Sequence, residues 1–490
     1  MNNIRHMIQS LGRLPACCWA GILGLWLVGS EAAAGHDPDP TTVPVSTEIA
    51  VVADFLDRSG LSAVYELGPQ PALADYVAYG VLHGQEVRAA VAEWRAAGET
   101  IAQAATLPDP RFTFTEMLVP VETRVGPQER SFGLWQTFPW FGTLSVGGEV
   151  QEAKVGAAAA RLQGALSRTA YRIKQAFYDL AYLARAIEVT EVHLGLLGQW
   201  EATARGRYET GAVSFNDVVK TQVELGLLES RLTELRDSYR PLSIKLNAAL
   251  NRPADTTVLP PHLVTVTDGS AVEGPLAGAE LDETVLADSL RRHNPELLAL
   301  WNQADHFDRA GQLARKKGLP ELTLGLTYIQ TGPALDPNQP DSGKDPVMAS
   351  LSLNLPLWRG KYRAASQEAE SRYLATRAFR KEREDALLAE LAAVHFSYRE
   401  ARRKAGLYAQ GLLPKGRQAL QAALAAYEAG STGYLDVLDA QRTLLEFELA
   451  TARAIADQHI QLAAMEMLVG RPLVLLSQKN EGEGKDTHGN

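Results

Sequence analysis

Cysteine is almost missing from this chain. Of its 490 residues only Cys17 and Cys18 carry a thiol, and both fall inside a segment that reads as an export signal, so neither disulfides nor thiol chemistry are expected of the mature protein. Past Gly35 there is no run of about 18 apolar residues, which excludes a transmembrane helix and leaves a β-barrel as the only membrane-spanning form open to it. Positive charge is in deficit too. A formal charge of −10 and the lack of any Lys/Arg run interleaved with aromatics give no reason to expect nucleic acid. The ten histidines are scattered singly with no His-x-x-x-His pair, so no metal site is expected. Neither a Gly-x-x-x-x-Gly-Lys phosphate loop nor a Gly-x-Ser-x-Gly elbow occurs, so the chain is expected to be no enzyme and to hold no cofactor. Its many carboxylates read as solvated helix faces and ion-pair partners.

What the chain does have is repetition. Tyr208, Gly211, Asp217, Val218 and Gln222 return as Tyr427, Gly430, Asp436, Val437 and Gln441, each pair 219 positions apart, and Arg252-Pro253 returns as Arg471-Pro472 in the same register. Upstream, His83 aligns with His293 and Pro110 with Pro320 at an offset of 210, while Pro139 matches Pro356 at 217. The drift falls where the second copy has a longer polar loop, Thr331 to Pro346, and insertions lodge in loops. His83 and His293 are read as helix-start or packing residues.

The expected organisation follows. Residues 1–34 are a signal peptide: Arg5 and Arg13 precede an apolar stretch from Ala16 to Val28 and a small-residue site at Ala32-Ala33-Ala34. Leu14-Pro15-Ala16-Cys17 looks like a lipoprotein box, but the apolar stretch follows the cysteine instead of preceding it, and the box is discounted. Residues 35–270 form a first structural repeat, 271–475 a second, and 476–490 a polar tail. The first repeat opens with a lead-in over 36–50 containing Pro38, Pro40 and Pro44. Ala74 to Ala105 and its counterpart Leu281 to Lys317 each read as a helix, the latter opening on Asp282-Glu283, where negative charge suits the helix dipole.

Four short segments break the helical pattern. In Ala349 to Leu355 and in Leu322 to Tyr328 leucines alternate with small residues; Phe132 to Phe138 and Arg111 to Thr115 follow more loosely. Period two with small polar residues on one face suits a strand between lipid and a wet lumen. Alternation alone serves equally for amphipathic hairpins over a soluble core. Two strands per half make four per chain, and an open four-stranded sheet cannot sit in hydrocarbon with unpaired edges, so a barrel requires several chains.

Beyond Pro139 and Pro356 come two helical runs of about 66 residues, each roughly 100 Å long at the α-helical rise. Pro414 is expected to kink or locally disturb the second. Ala157 to Ala160, and Ala422, Ala423, Ala425 and Ala426, permit close packing. After the first turn Val218, Leu225, Leu232 and Tyr239 interleave with Thr221, Leu228, Leu235 and Leu242 at heptad spacing, a coiled-coil seam. At the turns, Gly211 and Gly430 suit left-handed caps, Ser214 and Asp217 a capping box, and Gly433 takes the serine's place so that Asp436 carries more of the capping. A tight helical turn by itself justifies these residue types.

The stretch from Tyr427 through Gly430, Gly433 and Asp436 to Gln441, its partner from Tyr208, and Gln136-Thr137-Phe138-Pro139-Trp140-Phe141-Gly142 resemble the TolC family of outer-membrane efflux proteins. The resemblance covers nearly the whole mature chain. It implies a mainly α chain with a small β-barrel part: long antiparallel coiled-coil hairpins in two repeats, and four strands per chain in a trimeric twelve-stranded outer-membrane barrel. It further implies a passive exit duct in the outer membrane that extends into the periplasm, with a homotrimer, a periplasmic adaptor, an inner-membrane transporter and outer-membrane lipid as partners. On this analogy Tyr208, Gly211, Ser214, Asp217, Tyr427, Gly430, Gly433 and Asp436 are candidate adaptor-docking residues at the tip. The acidic ring that some members carry before the tyrosine is replaced here by Gln418 and Gln421. The Gln136 to Gly142 stretch is compatible with heavy-metal-cation efflux, but drug efflux and polypeptide secretion use the same duct. The competing reading is a periplasmic coiled-coil scaffold with no channel.

Overall fold

The computed structural model describes residues 67–68, 71–211, 213–261, 281–336 and 338–473. The expected signal peptide with Cys17 and Cys18, the lead-in at 36–50, the repeat boundary at 270 and the tail at 476–490 lie outside the described residues.

The chain is mostly helical. Helices α1 (Leu73–His83) and α2 (Gln85–Ala105) precede strands β1 (Arg111–Thr123) and β2 (Gly126–Phe138), then helices α3 (Thr143–Glu209) and α4 (Phe215–Ala249). The order recurs with α5 (Glu283–His293), α6 (Pro295–Lys316), β3 (Leu322–Thr331), β4 (Val347–Leu353), α7 (Arg359–Gly406), a π-helical turn (Leu407–Leu412), α8 (Leu413–Glu428) and α9 (Tyr434–Val469).

Two expectations are corrected and a third, the disturbance at Pro414, is met. Each expected single helix of the opening segments is two, broken at Gly84 (φ −63°, ψ 122°) and at Asn294 (φ −62°, ψ 122°). Pro295 explains the second break, because a residue before proline is pushed to extended backbone. His83 and His293 therefore end helices instead of starting them; His83 stacks on Tyr79 at 4.2 Å. The disturbance expected at Pro414 takes the form of the π turn just before it, where the Leu413 N–H donates to the Tyr408 carbonyl five residues back. Proline has no N–H for the carbonyl four residues earlier, and the wider turn absorbs that loss.

The four strands form one antiparallel sheet in the order β1-β2-β3-β4. β1 and β2 run 13 residues each, longer than their alternation implied. Pairing skips between Glu116 and Val121, and Pro120, which has no N–H to give a ladder, lies in that irregularity. Register aligns the alternation of all four strands. Phe112 opposes Leu134, Leu134 opposes Leu326, and Leu326 opposes Ala349, while Leu324 opposes Leu351. The other face sets Thr113 against Gly133, Thr323 between Thr137 and Ser352, and Gly325 against Ser350. The Thr137 and Thr323 hydroxyls meet at 3.0 Å. Trp135, Ile329 and Met348 are large residues on this face; Trp135 lies opposite Gly325, where a Cβ would overlap the indole. Among the described residues no strand pairs with the outer edge of β1 or of β4.

The chain divides into two compact units, each drawing segments from both halves of the sequence. One, residues 92–161 and 296–383, contains the sheet. In it Gly147 allows close approach to the Ala104 carbonyl, and Arg309 bridges Asp305 at 2.8 Å and Glu149 at 2.7 Å. Ala157 to Ala160 are all buried, while Lys154 and Arg161 keep one face of α3 exposed there. The other unit is helical. Its core includes Tyr76, Ile173, Phe177, Leu180, Leu246 and Leu250, and Gly80 leaves room for Ile173. Of the heptad positions on α4, Val218, Thr221, Leu228 and Leu232 are buried and Leu225, Leu235, Tyr239 and Leu242 half-buried, as a seam requires. Ala422 and Ala425, expected to pack closely, are exposed because no described part of this chain covers that face.

Leu180 is fully buried. Its truncation in Leu180→Ala is expected to cost about 2–5 kcal/mol, read as a lower midpoint of thermal unfolding by circular dichroism.

Candidate functional site

The eight residues singled out in the sequence lie at two helical turns. In the first, Gly211 takes φ 74° and its N–H donates to the Tyr208 carbonyl at 2.9 Å. Ser214 (φ −78°, ψ 152°) then caps α4: its Oγ accepts from the Asp217 N–H at 3.3 Å and donates to Asp217 Oδ2 at 2.8 Å, while the same carboxylate accepts from the Ser214 N–H at 3.3 Å. The capping box is complete.

In the second turn Gly430 takes φ 72°, and the Ser431 N–H donates to the Ala426 carbonyl at 2.9 Å, closing α8 in the left-handed manner. Gly433 has nearly the backbone of Ser214 (φ −78°, ψ 158°) but no side chain to cap with. Here the expectation fails: Asp436 does not take over the task. Its N–H donates to the Gly433 carbonyl at 3.2 Å, but its carboxylate makes no cap bond and is exposed. Without a donor side chain at Gly433 there is no reciprocal partner to hold it.

The structure brings the two turns together. The Arg207 guanidinium lies 4.8 Å above the Tyr427 ring, and Tyr427, Tyr434 and Val437 join Leu197, Trp200 and Leu228 in one apolar cluster. Each turn is also braced by an aromatic pair that the sequence reading missed: Tyr208 with Phe215 at 5.5 Å, and Tyr427 with Tyr434 at 5.2 Å. Phe215 and Tyr434 are 219 positions apart, the repeat offset, so the signal was available. Tyr208 and Phe215 are exposed, whereas Tyr434 is buried and burial pushes its phenol up to about 12. Gln418 and Gln421, which replace the acidic ring, are both exposed.

Farther along the helices polar contacts tie one to the next. Arg442 Nε donates to Glu224 Oε1 at 2.8 Å, Gln222 Nε2 to Glu201 Oε1 at 2.9 Å, and Gln441 Nε2 to the His193 carbonyl at 3.4 Å. Glu448 meets His193 Nε2 at 3.2 Å and Arg417 at 3.6 Å. Burial raises the Glu448 carboxyl, but the hydrogen bond from His193 and the charges of His193, Arg417 and Arg185 outweigh it and leave the group below its ordinary value. Among the described residues no group of three His, Asp or Glu is placed to hold a metal ion, and no helix is long and apolar enough to cross a membrane.

The chain that carries these turns also carries a four-stranded sheet, apolar on one face and polar on the other. Residues 286–471 match the family model described as outer membrane efflux protein. The chain is 24% identical over 416 residues to nodulation protein T of Rhizobium leguminosarum bv. trifolii, covering 82% of this chain and 85% of that one. It is 22% identical over 321 residues to the cobalt-zinc-cadmium resistance protein CzcC of Cupriavidus metallidurans, 64% of this chain and 70% of that one. The fold matches the outer membrane protein VceC of Vibrio cholerae with a TM-score of 0.62 at 19% identity, covering 81% of this chain and 96% of VceC. Over residues 286–471 the chain is similar to the outer membrane efflux protein family, and it shares its fold with outer-membrane channels.

Two outcomes follow. Gly433→Ser restores a cap on a backbone already suited to it, with open space around the position. It is expected to stabilise the start of α9 by about 1 kcal/mol, seen as slower amide exchange there. Because the folded-state Glu448 carboxyl lies below its unfolded value, the stability it contributes is present at neutral pH and lost as pH falls through the carboxylate range. Glu448→Gln should flatten that acid limb in melts recorded across pH.

Proposed function

We propose that this chain is the outer-membrane exit channel of a tripartite efflux or secretion system. Three copies pool β1 to β4 into a twelve-stranded barrel, and the helical hairpins of the two repeats, 35–270 and 271–475, extend into the periplasm as a passive duct. Energy comes from an inner-membrane transporter, reached through a periplasmic adaptor.

One observation carries this reading: a sheet with an apolar face, a polar face and two unpaired edges. In hydrocarbon each unsatisfied backbone group costs several kcal/mol. Four strands are too few to close on themselves, since membrane barrels begin at about eight. Copies of the same chain supply the missing edges, β4 of one against β1 of the next, and three copies give an even, antiparallel count. Thr113, Thr137, Thr323, Ser350 and Ser352 would then face the lumen and the Phe and Leu rows the lipid, the alternation that a barrel wall needs. The match of residues 286–471 to the outer membrane efflux protein model and a fold shared with outer-membrane channels support the same reading.

In this duct the two turns form the periplasmic tip, and the adaptor docks on Tyr208, Gly211, Ser214, Asp217, Tyr427, Gly430, Gly433 and Asp436. Asp217 is held in its cap, whereas the exposed Asp436 carboxylate is available to a partner.

Purified full-length protein is expected to run as a trimer in detergent and to open discrete conductances in planar bilayers; a monomer without conductance would overturn the channel. Asp436→Lys should cut export in cells while trimer yield and melting stay unchanged. Full export by that variant would remove Asp436 from the docking surface.

A further inference from the structure

We propose that the end of the sheet where strands meet helices carries a collar that binds anionic phospholipid headgroups. The proposal rests on the outer-membrane channel reading. Four segments of the sheet-bearing unit meet there: 106–110 between α2 and β1, 139–142 between β2 and α3, 315–321 from the end of α6 to β3, and 354–363 from β4 into α7. The last three are tied to one another. Lys316 Nζ donates to the Phe141 carbonyl at 3.3 Å, and the Asn354 N–H donates to the Glu321 carbonyl at 3.2 Å. Asn354 Oδ1 in turn accepts from the Glu321 N–H, and Gly318 makes room for the Tyr362 ring.

The charge of these segments opposes that of the chain. They contain Arg315, Lys316, Lys317, Arg359, Lys361 and Arg363 against two acids, Asp109 and Glu321, in a protein of net charge −10. Among the described residues none of the six cations is in an ion pair, and of them Lys316 is bonded to a backbone carbonyl. Several arginines elsewhere are paired, as Arg309 is with Glu149 and Arg442 with Glu224. The basic excess is confined to this end: the loops at the other end of the sheet, 122–130 and 332–346, hold more acids than bases.

The apolar face runs straight into the same segments. The alternation of β2 continues from Phe138 to Trp140, and that of β4 from Leu353 to Leu355 and Leu357. Phe141 is 86% exposed, Leu357 74% and Trp358 78%. Exposed Trp and Phe bordering a lipid-facing sheet suit the level of the headgroups, where an amphipathic ring has one side in hydrocarbon and one in water. Unpaired Arg and Lys at that level meet lipid phosphates, and each cation near an anionic bilayer surface strengthens association about fivefold. Aromatic anchors and free cations at one depth select a negatively charged leaflet, not bare hydrocarbon. The occupant is the phospholipid of the leaflet that faces the helices.

The test uses full-length protein and the variant Arg315→Gln/Lys317→Gln/Arg359→Gln/Arg363→Gln, which spares Lys316, bonded to Phe141, and Lys361, which lies over Tyr362. Both are reconstituted in phosphatidylethanolamine with and without phosphatidylglycerol, and the lipid retained on the particle is read by native mass spectrometry. Wild type should keep phosphatidylglycerol in preference to phosphatidylethanolamine, and the variant should lose at least about tenfold of that preference. The difference in fluorescence between wild type and Trp140→Phe/Trp358→Phe should be quenched more by lipid brominated near the headgroup than by lipid brominated at the chain end. Equal retention of the two lipids by wild type, an unchanged preference in the variant, or deep quenching would each overturn the collar. Conductance in pure phosphatidylethanolamine separates the two ideas. Pores without lipid preference reject the collar alone, and no pores in any lipid reject the channel.

Discussion

Backbone N–H and C=O groups on the outer edges of β1 and β4 need partners, and within this chain no described strand supplies them. That constraint organises everything else. The apolar rows on the sheet make water a poor medium for one face, and the open edges make hydrocarbon impossible for a single copy. A sheet of this kind is stable only when its ends are joined, so the oligomer is part of the fold in the proposed channel and not an addition to it. Trp135 over Gly325 belongs to the same logic: a large side chain on the polar face is accommodated by removing the one opposite.

The helical unit answers a different problem. A helix of 67 residues gains little from propensity alone and depends on lateral packing. Apolar seams supply the bulk of that packing, and polar contacts such as His193 with Glu448 and Arg442 with Glu224 fix which helices lie together. At the turns, where the seam must reverse, left-handed glycines close one helix and a cap opens the next. The two turns solve this unequally, with a complete capping box at Ser214 and none at Gly433. That inequality leaves Asp436 as the carboxylate free for another molecule.

Much of this was legible from local pattern. The leucine rows of β3 and β4, the heptads of α4, Gly211 and Gly430 as left-handed caps and the Ser214 box are all set by residues within a turn or two of each other. The misreadings have physical causes. Pro120 hid the full length of β1 because a proline inside a run argues against a strand, and only the bulge reconciles the two. Gly84 and Asn294 broke helices whose apolar pattern continues across the break. Phe215 and Tyr434 went unread although they stand at the repeat offset, since an aromatic on a long helix is most often ordinary core.

By itself the sequence determined periodicity, caps and the doubling of the motifs, because these depend on interactions a few residues apart. Tertiary structure alone decided that Arg207 lies over Tyr427, that Glu448 is held by His193 and Arg417, and that basic residues from two separate junctions collect at one end of the sheet. Those outcomes join residues tens to hundreds of positions apart. No local pattern encodes them, because each depends on how long helices and strands pack in register along their whole lengths.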